Sequence, residues 1–260
     1  MQIFIAMLKK DLKVLMAQRQ ILLTMTLVPA ILSILMPGVL VYSILATSDV
    51  PDDLATLFLN VPADIAHLPA DIQQLMILLD SFMPGYFLMI PILCGSVLAA
   101  GSFVTEREHK TMESLFYTPL SAKQLLSAKL VGALIPALAV SWIAALLTGL
   151  TVNLMCWSER RIMPFPTSTW WLIIFWLLPI VAALGLSFSV LVSSKARSYQ
   201  EAQQKSAMLV LPLVVLSLST ALGGITMSIN TYFILGLVLL VADIIMIHMI
   251  SLMFRPETMI

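Results

Sequence analysis

Long stretches without a single charged residue constrain this chain more than any other feature. The first runs from Gln20 to Ser48, and others lie between Asp80 and Glu106, Lys129 and Glu159, and Arg161 and Lys195. A last stretch, Ser206 to Phe254, contains one charge only, Asp243. A helix needs about 20 apolar residues to cross a ~30 Å hydrocarbon layer, and each gap provides them. The last gap is 49 residues, about 73 Å of helix at 1.5 Å per residue, and therefore holds two crossings with a turn near Ser228-Ile229-Asn230. The sequence thus predicts an all-α integral membrane protein with six transmembrane helices, at about 21–47, 82–104, 130–156, 169–193, 207–227 and 231–254. Charged residues make up 11% of the chain, against about 25% in soluble domains. Barrel strands would alternate apolar and polar residues in short segments, and the chain lacks that pattern.

The basic residues predict the orientation. With the N-terminus inside, Lys9, Lys10, Lys13, Arg19, Arg107, Lys110, Lys123, Lys129, Lys195, Arg197, Lys205 and Arg255 face the cytoplasm. Arg160 and Arg161 alone face out, with Asp49, Asp52, Asp53, Asp64, Asp71, Asp80 and Glu159. Both termini are then cytoplasmic. Residues 1–19 place Ile5, Leu8, Leu12, Leu15 and Met16 on one helical stripe with the lysines off it, which predicts an amphipathic helix on the inner membrane surface. Residues 20–260 form one membrane domain. The outer loop 49–80 contains a near repeat, Pro62 to Leu68 and Pro69 to Leu75, with Asp two residues after each Pro. That pattern suits one or two short helices at the outer surface.

The cytoplasmic loop after the second span carries the most information. Between Glu106 and Ser121 it packs charges around Met112, Leu115 and Phe116, whose i, i+3, i+4 spacing predicts a short helix at 111–117. Pro119 biases Thr118 away from helical angles, and Ser121-Ala-Lys-Gln124 reads as a capping box opening the next helix. Large apolar side chains held there, Tyr117 included, call for a partner protein or lipid to cover them.

These sixteen residues resemble the segment after the second span of ABC-2 type transporter permeases, E-R-E-x-x-T-x-E-x-L-x-x-T-P-L-S. Here the pattern is Glu106, Arg107, Glu108, Thr111, Glu113, Leu115, Thr118, Pro119, Leu120 and Ser121. Lys110 departs from the small residue often found there. Six spans with both ends inside resemble the same family. The resemblance implies a permease subunit of an ATP-driven exporter in a prokaryotic inner or plasma membrane, paired with a second permease copy and with separate ATP-binding subunits. It implies that Thr111 to Tyr117 dock on that ATPase, and that Glu106, Arg107, Glu108 and Glu113 relay its movement. ATP and Mg would sit on the partner, with no cofactor on this chain. The residues agree, because a nucleotide-binding loop needs G-x-x-x-x-G-K-[ST] and the sequence contains no Gly-Lys pair.

Asp243 stands near the middle of span 6, where a charge is costly. Two readings stand side by side: a neutral carboxyl bonded to Ser or Thr of a neighbouring span, and a role in the translocation path. Seven prolines (Pro29, Pro37, Pro84, Pro91, Pro136, Pro179, Pro212) fall in five of the six spans and permit kinks. Small-residue steps, Gly95/Ala99 and Gly185/Ser189 among them, allow close helix contact. Two cysteines and three histidines match neither a metal spacing nor a disulfide framework, so no enzyme activity and no metal are expected, and nothing points to nucleic acid. The apolar spans favour a hydrophobic or amphipathic cargo such as a drug, peptide or lipid-like molecule. Alternatives are extrusion of sodium or another cation by the same architecture, and an ion-coupled secondary transporter using Asp243.

Overall fold

In the computed structural model, residues 19–46, 65, 67–108, 122–193, 199–221 and 228–253 are described. The amphipathic segment 1–18, most of the loop 47–69 and the elbow 109–121 lie outside these. Span 1 is α1 (Arg19–Ala46). Span 2 is two helices, α2 (Ala70–Phe87) and α3 (Met89–Glu108), interrupted at Leu88. Span 3 is the 39-residue α4 (Ala122–Arg160). Span 4 opens with α5 (Ser168–Leu172), passes through a five-residue π turn at Ile173–Leu177 and continues as α6 (Leu178–Ser193). Span 5 comprises α7 (Tyr199–Ala207) and α8 (Val210–Ala221), and span 6 is α9 (Ile229–Met253). Six stretches are long and apolar enough to cross a membrane: Leu22–Ala46, Ala70–Ala99, Ser127–Arg160, Ser168–Ser193, Gln200–Thr220 and Ile229–Leu252.

Two boundaries differ from the hydropathy reading. Helix α2 starts at Ala70, not near 82, because the second copy of the repeat opens span 2 instead of forming a separate surface helix. Pro69 precedes the first turn and Asp71 stands within it, where a missing N–H costs nothing and a negative charge meets the positive helix end. Span 5 starts near Gln200, seven residues before the expected 207, so polar α7 belongs to it.

Span 2 and span 4 form the centre, 78% and 67% buried over their most apolar windows, whereas spans 5 and 6 are each 17% buried. The outer spans turn apolar stripes outward. On α1 these are Leu23, Leu27, Ile31 and Leu35; on α4, Leu146, Leu150, Leu154 and Trp157. Spacing of three to four residues makes each a continuous helix face, and so much exposed apolar surface suits hydrocarbon, not water. Inside, Ser33, Ser141, Thr151 and Ser217 turn their hydroxyls back onto the carbonyl four residues earlier in their own helix, which satisfies them without water.

The central contact is α3 against α6. A Cβ built at Gly185 would lie 3.0 Å from Ile92 Cα, and one at Gly95 would lie 3.2 Å from the Leu186 backbone nitrogen. Absent side chains on both helices bring the backbones together. At Gly38 an added Cβ meets only side-chain atoms at 3.7 and 3.9 Å. Gly185→Val should therefore cost roughly 1–3 kcal/mol through overpacking. Gly38→Ala should be neutral or stabilise by up to about 1 kcal/mol. Thermal unfolding in detergent checks the contrast.

Candidate functional site

Among the described residues, 70–108 and 122–160 are the two longest near-continuous helical stretches, and both border the segment 109–121. Helix α3 runs unbroken to Glu108, so Glu106, Arg107 and Glu108 form its final turn. Thr111, Met112, Glu113, Leu115, Phe116, Tyr117, Thr118 and Pro119 lie outside the described residues. Helix α4 starts at Ala122, directly after Ser121. Lys129, the border of the third charge-free gap, is 3% exposed and stands seven residues inside its helix.

Within the bundle, Asp243 is 8% exposed. Ser187 of α6 lies beside its carboxyl, and Oδ1 has no hydrogen-bond partner among the described residues. Seven residues earlier on the same helix, Gly236 makes room for the Trp176 indole of the π turn: a Cβ there would strike Nε1. Trp176 also stacks on Phe233, with ring centroids 5.3 Å apart. Spans 4 and 6 thus meet at an aromatic step, which hydropathy does not reveal, and at the carboxyl of Asp243, which the sequence singles out. Among the described residues no three His, Cys, Asp or Glu side chains gather as a metal site.

The prolines have a partner-binding consequence that their spacing alone does not disclose. Proline lacks an N–H, so the carbonyl four residues earlier loses its helical donor. Pro29 releases Met25 O, which the Cys94 thiol of span 2 approaches at 3.7 Å. Pro37 releases Ser33 O, met by Thr148 of span 3 at 3.4 Å. Pro84 releases Asp80 O, met by the Tyr232 hydroxyl of span 6 at 3.1 Å. In the π turn the ladder runs five residues back, with Leu178 N–H on Ile173 O. Pro179 therefore orphans Ile174 O, and Trp142 Nε1 of span 3 donates to it at 3.3 Å. Pro91 and Pro212 fall in the first turns of α3 and α8, directly after the breaks at Leu88 and Met208–Leu209.

The end of the bundle far from the elbow carries a cluster of polar contacts. Thr167 donates to Asp80 Oδ1 at 2.5 Å, Trp170 Nε1 to Leu79 O at 3.0 Å, and Arg160 pairs with Asp71 at 2.6 Å. Asn153 holds the linker by bonding both the N–H and the carbonyl of Phe165. Asp80 therefore lies within a helix, and is not the loop boundary that hydropathy made it.

Six apolar crossings around two buried central spans define a polytopic α-helical membrane protein. The family model described as ABC-2 family transporter protein matches residues 5–255, nearly the whole chain, and the chain belongs to that family. It is a permease-type membrane protein of a transporter. Comparison with curated proteins gives no match.

If the freed carbonyl is what engages Tyr232, the two residues must couple. Tyr232→Phe should lose about 1–2 kcal/mol, while in a Pro84→Ala background, which returns the helical N–H, it should lose less than about 0.5 kcal/mol. A double-mutant cycle in detergent unfolding measures this; additive losses would refute the pairing.

Proposed function

We propose that this chain is the permease subunit of an ATP-driven exporter, working as a pair and moved by a separate ATP-binding subunit that carries ATP and Mg. The observation that carries this reading is the meeting of the two long arms, spans 2 and 3, at an elbow bearing the E-R-E…T-P-L-S pattern. Span 2 is the most buried element, and a push on its end must move its neighbours, because packed interiors transmit displacement and do not absorb it. In this reading the elbow end and both termini are cytoplasmic, Thr111 to Tyr117 dock in the ATPase, and Glu106, Arg107, Glu108 and Glu113 orient the joint through ion pairs. Met112, Leu115 and Phe116 are its apolar anchors, and Thr118-Pro119 ends the docking helix. Apolar spans with few buried charges favour a hydrophobic or amphipathic cargo in a prokaryotic plasma membrane.

Pulling the chain from its native membrane should bring an ATP-binding subunit with it, and Phe116→Asp should remove that subunit without lowering the amount of permease. A chain that moves cargo alone would overturn the proposal.

A second reading rests on Asp243, whose Oδ1 has no hydrogen-bond partner among the described residues, with Ser187 beside its carboxyl. It gives span 6 a place in the path for a cation or proton. Asp243→Asn then changes transport and its dependence on pH. Transport unchanged across pH would leave Asp243 as a packing group beside Ser187.

A further inference from the structure

The far half of span 2 is held by bonds that its neighbours make at some local cost. Thr167 occupies the cap position of α5 but makes no side-chain cap bond. A threonine there ordinarily satisfies an N–H of its own first turn, a contribution of about 1 kcal/mol. Its hydroxyl instead donates to the Asp80 carboxylate at 2.5 Å. Asp80 is bonded a second time, through the carbonyl that Pro84 releases, by Tyr232 in the first turn of span 6. One residue of span 2 thus joins the starts of spans 4 and 6. The adjacent carbonyl, Leu79 O, accepts from Trp170, which is fully buried between Phe87 and Phe165.

Below this cluster span 2 is interrupted at Leu88, with Pro84 and Pro91 on either side. The two halves lean on different helices of spans 4 and 5. Helix α2 rests on span 5, where an added Cβ at Gly85 would strike Ser217, and α3 rests on span 4 through Gly95 and Gly185. A displacement entering at Glu108 is therefore delivered first to α3, and α2 follows only when the bonds on Asp80 give way. Interruptions flanked by proline are where a helix absorbs such a change.

We propose that Asp80 and Thr167 are positioning residues of a latch that holds the outer half of span 2 against spans 4 and 6, and that each transport cycle opens it. This deepens the function proposed above and rests on it. Opening breaks a hydrogen bond to a carboxylate, which is stronger than one between neutral groups, so the latch sets part of the barrier to turnover.

The test uses the complex of the full chain with its ATP-binding subunit, in vesicles, with ATP hydrolysis per assembled complex as the readout. Thr167→Val removes the hydroxyl and keeps the shape; it should raise hydrolysis without added cargo about tenfold, and Thr167→Ser should bring it back. A role in packing alone would lower the amount of complex but leave the rate per complex alone. In an Asp80→Cys/Thr167→Cys pair, oxidation to the disulfide should reduce hydrolysis at least tenfold, with recovery on reduction. An unchanged rate in Thr167→Val, or full turnover with the disulfide formed, overturns the latch. A wild-type chain with no ATP-hydrolysing partner instead overturns the exporter reading, so the two failures are distinct.

Discussion

Hydrocarbon offers no hydrogen bonds, so each backbone carbonyl in a membrane bundle must find its donor within the protein. The interspan order here follows from that demand. Pro29, Pro37, Pro84, Pro136 and Pro179 each deprive one carbonyl of its helical donor, and for all but Pro136 a donor from another span (Cys94, Thr148, Tyr232 or Trp142) answers. Three of these bonds are long, and each contributes little singly. Their value lies in direction, because apolar contact alone lets one helix slide along another. A carbonyl released at one height fixes register to within a residue.

The same demand explains why span 2 is central. It receives bonds from spans 4 and 6 and gives donors to span 1, from Tyr86 to Leu32 O and from Cys94 to Met25 O. Its glycines bring it into backbone contact with span 4. Spans 1, 3 and 6 in turn present large aliphatic and aromatic side chains outward. A motion introduced at Glu108 therefore enters the element with the most attachments, and the break at Leu88 decides how much of it reaches the far end.

Much of this was legible beforehand and the rest was not, for physical reasons. Six crossings followed from charge-free gaps, because burying an unpaired charge is prohibitive. The same rule misjudged span edges where a charge is paired. Asp80 was read as a loop border but is held inside a helix by Thr167, and Lys129 is buried beyond the start of its own helix. The carbonyls that prolines release can be counted from the sequence. Their donors cannot, since Tyr232 lies 152 residues from Asp80 and nothing local marks it. The π turn around Trp176 has no sequence signal beyond Pro179, two residues past its end at Leu177. The Gly95 and Gly185 crossing was visible as small-residue steps, though not which helix each would meet. The elbow residues 109–121 rest on sequence pattern and family membership.

The central claim is that force from a nucleotide-hydrolysing subunit enters at the elbow between spans 2 and 3. Single photo-crosslinkers at positions 111 to 117, placed one at a time in the native membrane, test it most directly. The account predicts capture of one ATP-binding subunit, strongest at Met112, Leu115 and Phe116 with a helical repeat, and altered by nucleotide. Crosslinks to lipid alone at every position would contradict it.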